Sequence, residues 1–147
     1  MSTPADIVAQ LLSRDAVSQW LGVELLEVAV GRATLRMPVR TDFVNGFGTV
    51  HGGVLFSLAD SAFAFATNAG GLLSVAVDCT ISFPVAVRPG DVLTAEAVEQ
   101  ARTNRLAFCE VTVRNQEETV VAFFRGTVYR TTRTHEHLAK PQTVEER

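Results

Sequence analysis

Apolar residues recur along this chain in two periods. From Gly52 to Ala69 the run GGVLFSLADSAFAFATNA is apolar around most of a helical wheel. At ~100° per residue, Gly53, Ser57, Asp60, Ala64 and Thr67 share one stripe, while Leu55, Leu58, Ala59, Ala62, Phe63 and Ala66 form a broad apolar remainder. The pattern predicts a long helix, stopped by Gly70 and Gly71 and largely wrapped by protein. Period two takes over afterwards. Val75, Val77, Cys79, Ile81 and Phe83 alternate with Ala76, Asp78, Thr80 and Ser82, the signature of a strand with unlike faces, ended by Pro84. Residues 92–100, 106–114 and 120–130 read as further strands, set apart by turns at 88–91, 102–105 and 115–118. Such short connections predict an antiparallel meander.

The N-terminal part carries weaker signals of the same kinds. Thr3, Pro4 and Asp6 mark a helix start, followed by Ile7, Val8, Leu11 and Leu12 on one face. A second helical piece ends near Trp20 to Gly22, with Trp20 read as a packing residue, and residues 22–29 and 32–37 form a hairpin about Val30 and Gly31. One long helix between a hairpin and a run of strands implies an α+β domain, its curved antiparallel sheet wrapped around one central helix. Residues 1–131 are expected to form this single domain, with 1–21 as its N-terminal helical segment. Residues 132–147 are polar and aperiodic, and are expected to be a flexible tail.

Composition narrows the function. A chain of 147 residues, 47% hydrophobic, suits one domain with a substantial core. The net charge of -3 and the dispersed arginines give no support to nucleic-acid binding, although arginines remain point sites for phosphate. The N-terminus lacks a signal-peptide pattern, and Ser57, Asp60, Ser61, Thr67 and Asn68 interrupt the central apolar run, so no membrane span and a cytoplasmic location are expected. Cys79 and Cys109 fall within strand patterns and read as buried free thiols. His135 and His137 read as solvated side chains, and no metal site is expected.

The candidate chemistry lies in 45–71, where a glycine-rich loop carrying Asn45 and His51 runs into the long helix. Gly46, Gly48, Gly52 and Gly53 admit backbone angles closed to other residues and a close approach by a ligand. The first N–H groups of a helix lack internal partners and suit a polarised oxygen, with Gly53 the natural donor. Asp60, on an apolar helix, is either satisfied by a neighbouring N–H or poised as a base; the residues alone weigh these equally. Gly53 and Asp60 stand roughly 10 Å apart along the axis. Serving one reaction from that distance requires an isologous dimer in which each cleft takes Gly53 from one chain and Asp60 from the other. His51 reads first as a turn holder donating a ring N–H to a loop carbonyl, and Asn45 before Gly46 is also ordinary turn chemistry.

Together, Asn45-Gly46, His51-Gly52-Gly53, Leu58-Ala59-Asp60-Ser61-Ala62-Phe63-Ala64, Cys79-Thr80-Ile81-Ser82-Phe83, Pro89-Gly90-Asp91 and Gly126 before Tyr129-Arg130 resemble the hotdog fold. Within it they resemble the phenylacetic-acid-degradation type of acyl-coenzyme A thioesterase. The resemblance implies Asp60 as base or nucleophile, Gly53 as the backbone N–H that polarises the thioester carbonyl, and Asn45 and His51 as loop residues that orient carbonyl, water or helix entrance. It further implies coenzyme A contacts at Phe83 and at Arg102, Asn104 and Arg105, with Gly52 and Thr67 as additional substrate contacts. No cofactor is implied, since coenzyme A is part of the substrate. Dimers with shared sites, paired into a dimer of dimers, are expected. One departure is Ala76, where some relatives carry a serine; Thr67 or Ser57 is left to supply a hydroxyl. Competing readings are a hotdog dehydratase or hydratase of 3-hydroxyacyl thioesters, and a non-catalytic acyl-CoA-binding domain. Phe43, Phe47, Phe56 and Phe63 are candidates for an acyl pocket but read more simply as core.

Overall fold

The computed structural model describes residues 2–135. Its first helix, α1 (Pro4–Leu12), starts in a capping box: the Thr3 hydroxyl accepts from the Asp6 N–H while the Asp6 carboxylate accepts from the Thr3 N–H. Helix α2 (Ala16–Leu21) is capped by Asp15 and closed by Gly22 at φ 75°, a left-handed backbone that favours glycine. Strands β1 (Glu24–Ala29) and β2 (Arg32–Pro38) form the expected hairpin; then come α3 (Gly52–Asn68), β3 (Leu72–Ser82), β4 (Val92–Arg102), β5 (Leu106–Arg114) and β6 (Val120–Thr134).

These strands make one antiparallel sheet in the order β1-β2-β4-β5-β6-β3. Only β4-β5-β6 is a meander. Strand β3 pairs with β6 and ends the sheet, and the segment after it crosses back to β4. Both flanks of α3 are thereby enclosed. Leu55, Leu58, Ala59, Ala62, Phe63 and Ala66 are buried against Leu35, Met37, Leu93, Val111, Val113 and Phe124 of the sheet.

The alternation expected along all of β3 breaks in the middle. Ala76 pairs with Val128 and Asp78 with Thr127, so Val77 is an extra residue in a bulge. A one-residue insertion exchanges the two faces. Val75 and Val77 are therefore exposed, at 44% and 59%, whereas Cys79 and Ile81 beyond the bulge pack against the core. The other end of the domain also differs from expectation. Strand β6 continues past residue 131 to Thr134, paired with Leu72, and His135 is buried, with burial pushing its ring pKa down. The polar composition of 131–135 hid this pairing, which depends on the β3 edge. The remainder of the expected tail, including His137, lies outside the described residues.

Helix and sheet pack closely at Gly126. A β-carbon there would sit 2.6 Å from Cζ of Phe63 and 2.8 Å from two further ring atoms. The Phe63 ring is itself buried and lies tilted against Phe124 at 5.4 Å between centroids, so it has little room to retreat. Gly126→Ala is expected to lower the unfolding free energy by about 2 kcal/mol through overpacking. Urea denaturation followed by far-ultraviolet circular dichroism checks this, and an unchanged midpoint would contradict the close packing.

Candidate active site

The loop before α3 is organised by Asn45. Its Oδ1 accepts from the N–H of Phe47 at 2.9 Å and of Thr49 at 3.3 Å, while its Nδ2 donates to Thr49 Oγ1 at 3.2 Å. A primary amide has two N–H protons, so one remains for another acceptor. Of the four loop glycines, only Gly48 has a positive φ, 81°. Gly52 and Gly53 sit in close quarters instead: a β-carbon would fall 3.2 Å from the Phe83 ring at the first, where that exposed ring has room to give way, and 3.0 Å from His51 Nδ1 at the second.

His51 is the N-cap of α3, and it works oppositely to the expectation of a ring N–H donated to a carbonyl. Its Nδ1 accepts the Gly53 N–H at 2.8 Å. A neutral ring accepting at Nδ1 carries its proton on Nε2. The Gly53 N–H is therefore already engaged, and the Val54 N–H donates to the His51 carbonyl at 2.9 Å. Among the described residues nothing accepts the Gly52 N–H. The free donor of the opening turn is thus Gly52 rather than Gly53, because an N-cap side chain takes an N–H at N2 or N3 and leaves N1 unpaired. Gly52 lines a cleft of about 290 Å³ with Asn45, Thr49, Leu55, Phe83 and Val87.

Asp60 lies eight residues further on, ~12 Å along the axis. The carboxyl is half-buried, and among the described residues no donor reaches it. Burial, with a smaller contribution from the Asp15 carboxylate, raises its pKa above the ordinary value. Beyond the β3 bulge, Cys79 falls within electrostatic reach of Asp60; its thiol pKa is raised by burial, then by Asp60 and Asp78. In the sequence Cys79 reads only as a buried free thiol, and Asp15 carries no assignment. Placing Cys79 required the bulge, whereas an aspartate just before a short helix is at least a local capping signal.

Other expected site residues lie apart. The Thr67 hydroxyl is buried and donates to the Phe63 carbonyl at 2.8 Å, and Ser57 donates to the Gly53 carbonyl at 2.8 Å, so neither offers a proton to the cleft. Ala76 is exposed beside the bulge. Arg102 ends β4, and Asn104 and Arg105 sit on the β4–β5 turn, held by Arg130, which donates from its backbone N–H to the Arg105 carbonyl and from its side chain to the Asn104 carbonyl. That turn belongs to the end of the sheet where Gly31 donates to the Ala66 carbonyl, near the last turn of α3, whereas Gly52 and Phe83 occupy the end where β4 begins. Arg102 is engaged by Glu99 through two bonds of 2.7 Å. Of the four phenylalanines, Phe43 and Phe63 are core, Phe56 packs at 5.4 Å on Phe124, and Phe47 is 93% exposed.

Comparison with known proteins bears on this arrangement. The profile of the thioesterase superfamily matches residues 47–122. The acyl-coenzyme A thioesterase PaaI of Escherichia coli K12 is 39% identical over 123 residues, covering 82% of this chain and 86% of that protein. The solved structure of the E. coli PaaI protein from the phenylacetic acid degradation operon superposes with a TM-score of 0.87 at 36% identity, over 89% of this chain and 95% of that one. A hypothetical thioesterase protein from Streptococcus pneumoniae TIGR4, crystallised with coenzyme A, superposes with a TM-score of 0.78 at 25% identity, over 83% and 95% of the two chains.

An acid whose pKa is raised by folding binds more protons in the native than in the unfolded state, so its contribution lowers stability as pH rises through the ordinary carboxylate range. Asp60→Asn is therefore expected to unfold at higher urea than the parent at pH 7, with the difference vanishing at a pH low enough to protonate Asp60 in both states. Urea melts at the two pH values check it; a less stable variant at pH 7 would mean the carboxylate is held by a favourable partner.

Proposed function

The chain belongs to the thioesterase superfamily, and from that premise we propose that it is an acyl-CoA thioesterase, releasing a small or medium acyl or aryl-acyl acid and free coenzyme A. The observation that carries the reading is the unpartnered, half-buried carboxylate of Asp60 on the same helix whose first N–H, at Gly52, opens into a cleft. Asp60 takes a proton from water, the water oxygen bonds to the acyl carbon, and negative charge gathers on the former carbonyl oxygen. The Gly52 N–H and the spare Asn45 amide proton stabilise that oxygen. Collapse expels the thiolate, a weak base that needs no strong acid to leave.

One chain cannot serve one carbonyl with both groups across ~12 Å, so the site is assigned to two copies of the chain. Strand β3 supports this assignment. It is the end strand, eleven residues long, with Val75, Ala76 and Val77 exposed in succession and, among the described residues, one backbone edge unpaired. The opposite edge, β1, carries exposed Glu24 and Glu27, charges that discourage edge pairing. A two-fold axis at β3 reverses α3 as well, turning the opening of one helix toward the flank of the other. Such pairing also brings the 102–105 turn of one copy to the end of the assembly that holds the cleft of the other. Coenzyme A phosphate is assigned to Arg105, since Arg102 is already paired with Glu99.

Two variants test the chemistry. Proline at the first helical position lacks the N–H yet suits a helix start, and His51 has the extended backbone that a following proline requires, at φ -61° and ψ 133°. Gly52→Pro is expected to slow thiol release from an acyl-CoA panel by roughly 10²- to 10³-fold, and Asp60→Asn by at least ~10²-fold. Full activity in Asp60→Asn would remove Asp60 as the base. Water elimination from a hydroxyacyl thioester without thiol release would replace the hydrolase reading with a dehydratase.

A further inference from the structure

The corner between α1 and α2 is fastened to α3 by a buried hydrogen-bonded chain. Asp15 accepts from the Ser18 N–H at 2.9 Å through one carboxylate oxygen and from the Ser18 hydroxyl at 2.6 Å through the other. The Ser18 oxygen then lies 2.7 Å from the hydroxyl of Ser61, and both serines are buried. Ser61 is the residue after Asp60. We propose that Asp15 is a positioning residue for the active-site carboxylate, anchoring a fixed negative charge through Ser18 and Ser61 against the helical turn that carries Asp60.

Capping α2 does not require this arrangement. Asparagine or serine caps a helix about as well as aspartate, without the charge. Nor does the Ser18–Ser61 contact, which a packed pair of small apolar residues would replace. What aspartate adds is a fixed anion, held by two donors and anchored on the far side of Ser61. The groups around Asp60 leave that anion as the main like charge. Strand β3 brings the Cys79 thiol within electrostatic reach of Asp60, with Asp78 next to that thiol, and Arg14 and Asp15 of the α1–α2 corner line a cavity of about 280 Å³ with Ala64, Asn68 and His135. Burial is the larger influence on Asp60 and Asp15 the second, and both favour the protonated form. A carboxylate with a raised pKa accepts a proton from water more readily once ionised, so its charge environment acts directly on the proposed chemistry.

The inference rests on the assignment of Asp60 as the base, but its first test does not use catalysis. In the intact protein, the Asp60 carboxyl is titrated by carbon-13 NMR and identified by its absence in Asp60→Asn. Asp15→Asn is expected to lower the Asp60 midpoint by about half a pH unit, with a smaller difference in high salt. Asp15→Ser serves equally if the first variant does not fold. Glu117→Gln, in the exposed turn before β6, leaves the midpoint where it was. The acidic limb of kcat/KM for acyl-CoA hydrolysis is then expected to move down with the midpoint. An unmoved midpoint in a folded Asp15 variant overturns the inference. A midpoint that moves while the kinetic limb stays supports it and instead removes Asp60 from the rate-controlling protonation.

Discussion

The structure depends on burying a helix that is apolar on nearly all sides. Helix α3 cannot rest on a flat sheet without exposing one flank, so the sheet must curl around it, and β3 must leave its neighbour in sequence to close the far side against β6. The contact between Phe63 and Gly126 shows how tightly that closure is drawn, since no side chain fits between ring and strand. Enclosure also sets the electrostatics. A carboxylate midway along such a helix loses water without gaining a hydrogen-bond donor, and this is the condition that keeps Asp60 basic.

In the proposed reading, the same enclosure leaves one chain with only parts of a site. The opening turn of α3 is fixed by His51 and Asn45 at one end of the sheet, the carboxylate lies in the middle, and the arginine-bearing turn lies at the other end. The separation of Gly52 from Asp60 belongs to a rigid rod, so no loop movement brings those two together. A second copy applied across the open edge of β3 is the economical solution. The bulge at Val77 serves both purposes: it presents Val75 and Val77 outward on the edge strand while turning Cys79 and Ile81 inward.

Periodicity alone defined α3 to within a residue and found every strand, because long elements with strong patterns are set by local burial demands. It did not reveal strand order, since the departure of β3 to pair with β6 is a consequence of enclosing the helix. Nor did it reveal the bulge, which changes faces without changing composition. At the site, Asp60 and the loop before α3 stood out because a lone acid in an apolar helix is costly and clustered glycines are unusual. The identity of the free amide did not, because it turned on one hydrogen bond: with His51 accepting from Gly53, the unpaired donor moved to Gly52. Thr67 looked available on a helical wheel but is tied to the Phe63 carbonyl. Asp15 gained its significance only when folding set its corner against Ser61.

The central claim is that one catalytic centre takes its acid from one copy and its amide from another. Subunit complementation tests it most directly. Asp60→Asn and Gly52→Pro chains, each inactive alone, are unfolded, mixed in equal amounts and refolded together. Random pairing makes half of the dimers mixed, each with one fully intact site, so the account predicts recovery of about one quarter of the parent activity. Mixed dimers, confirmed by native mass spectrometry, that show no more activity than the separate variants would contradict it.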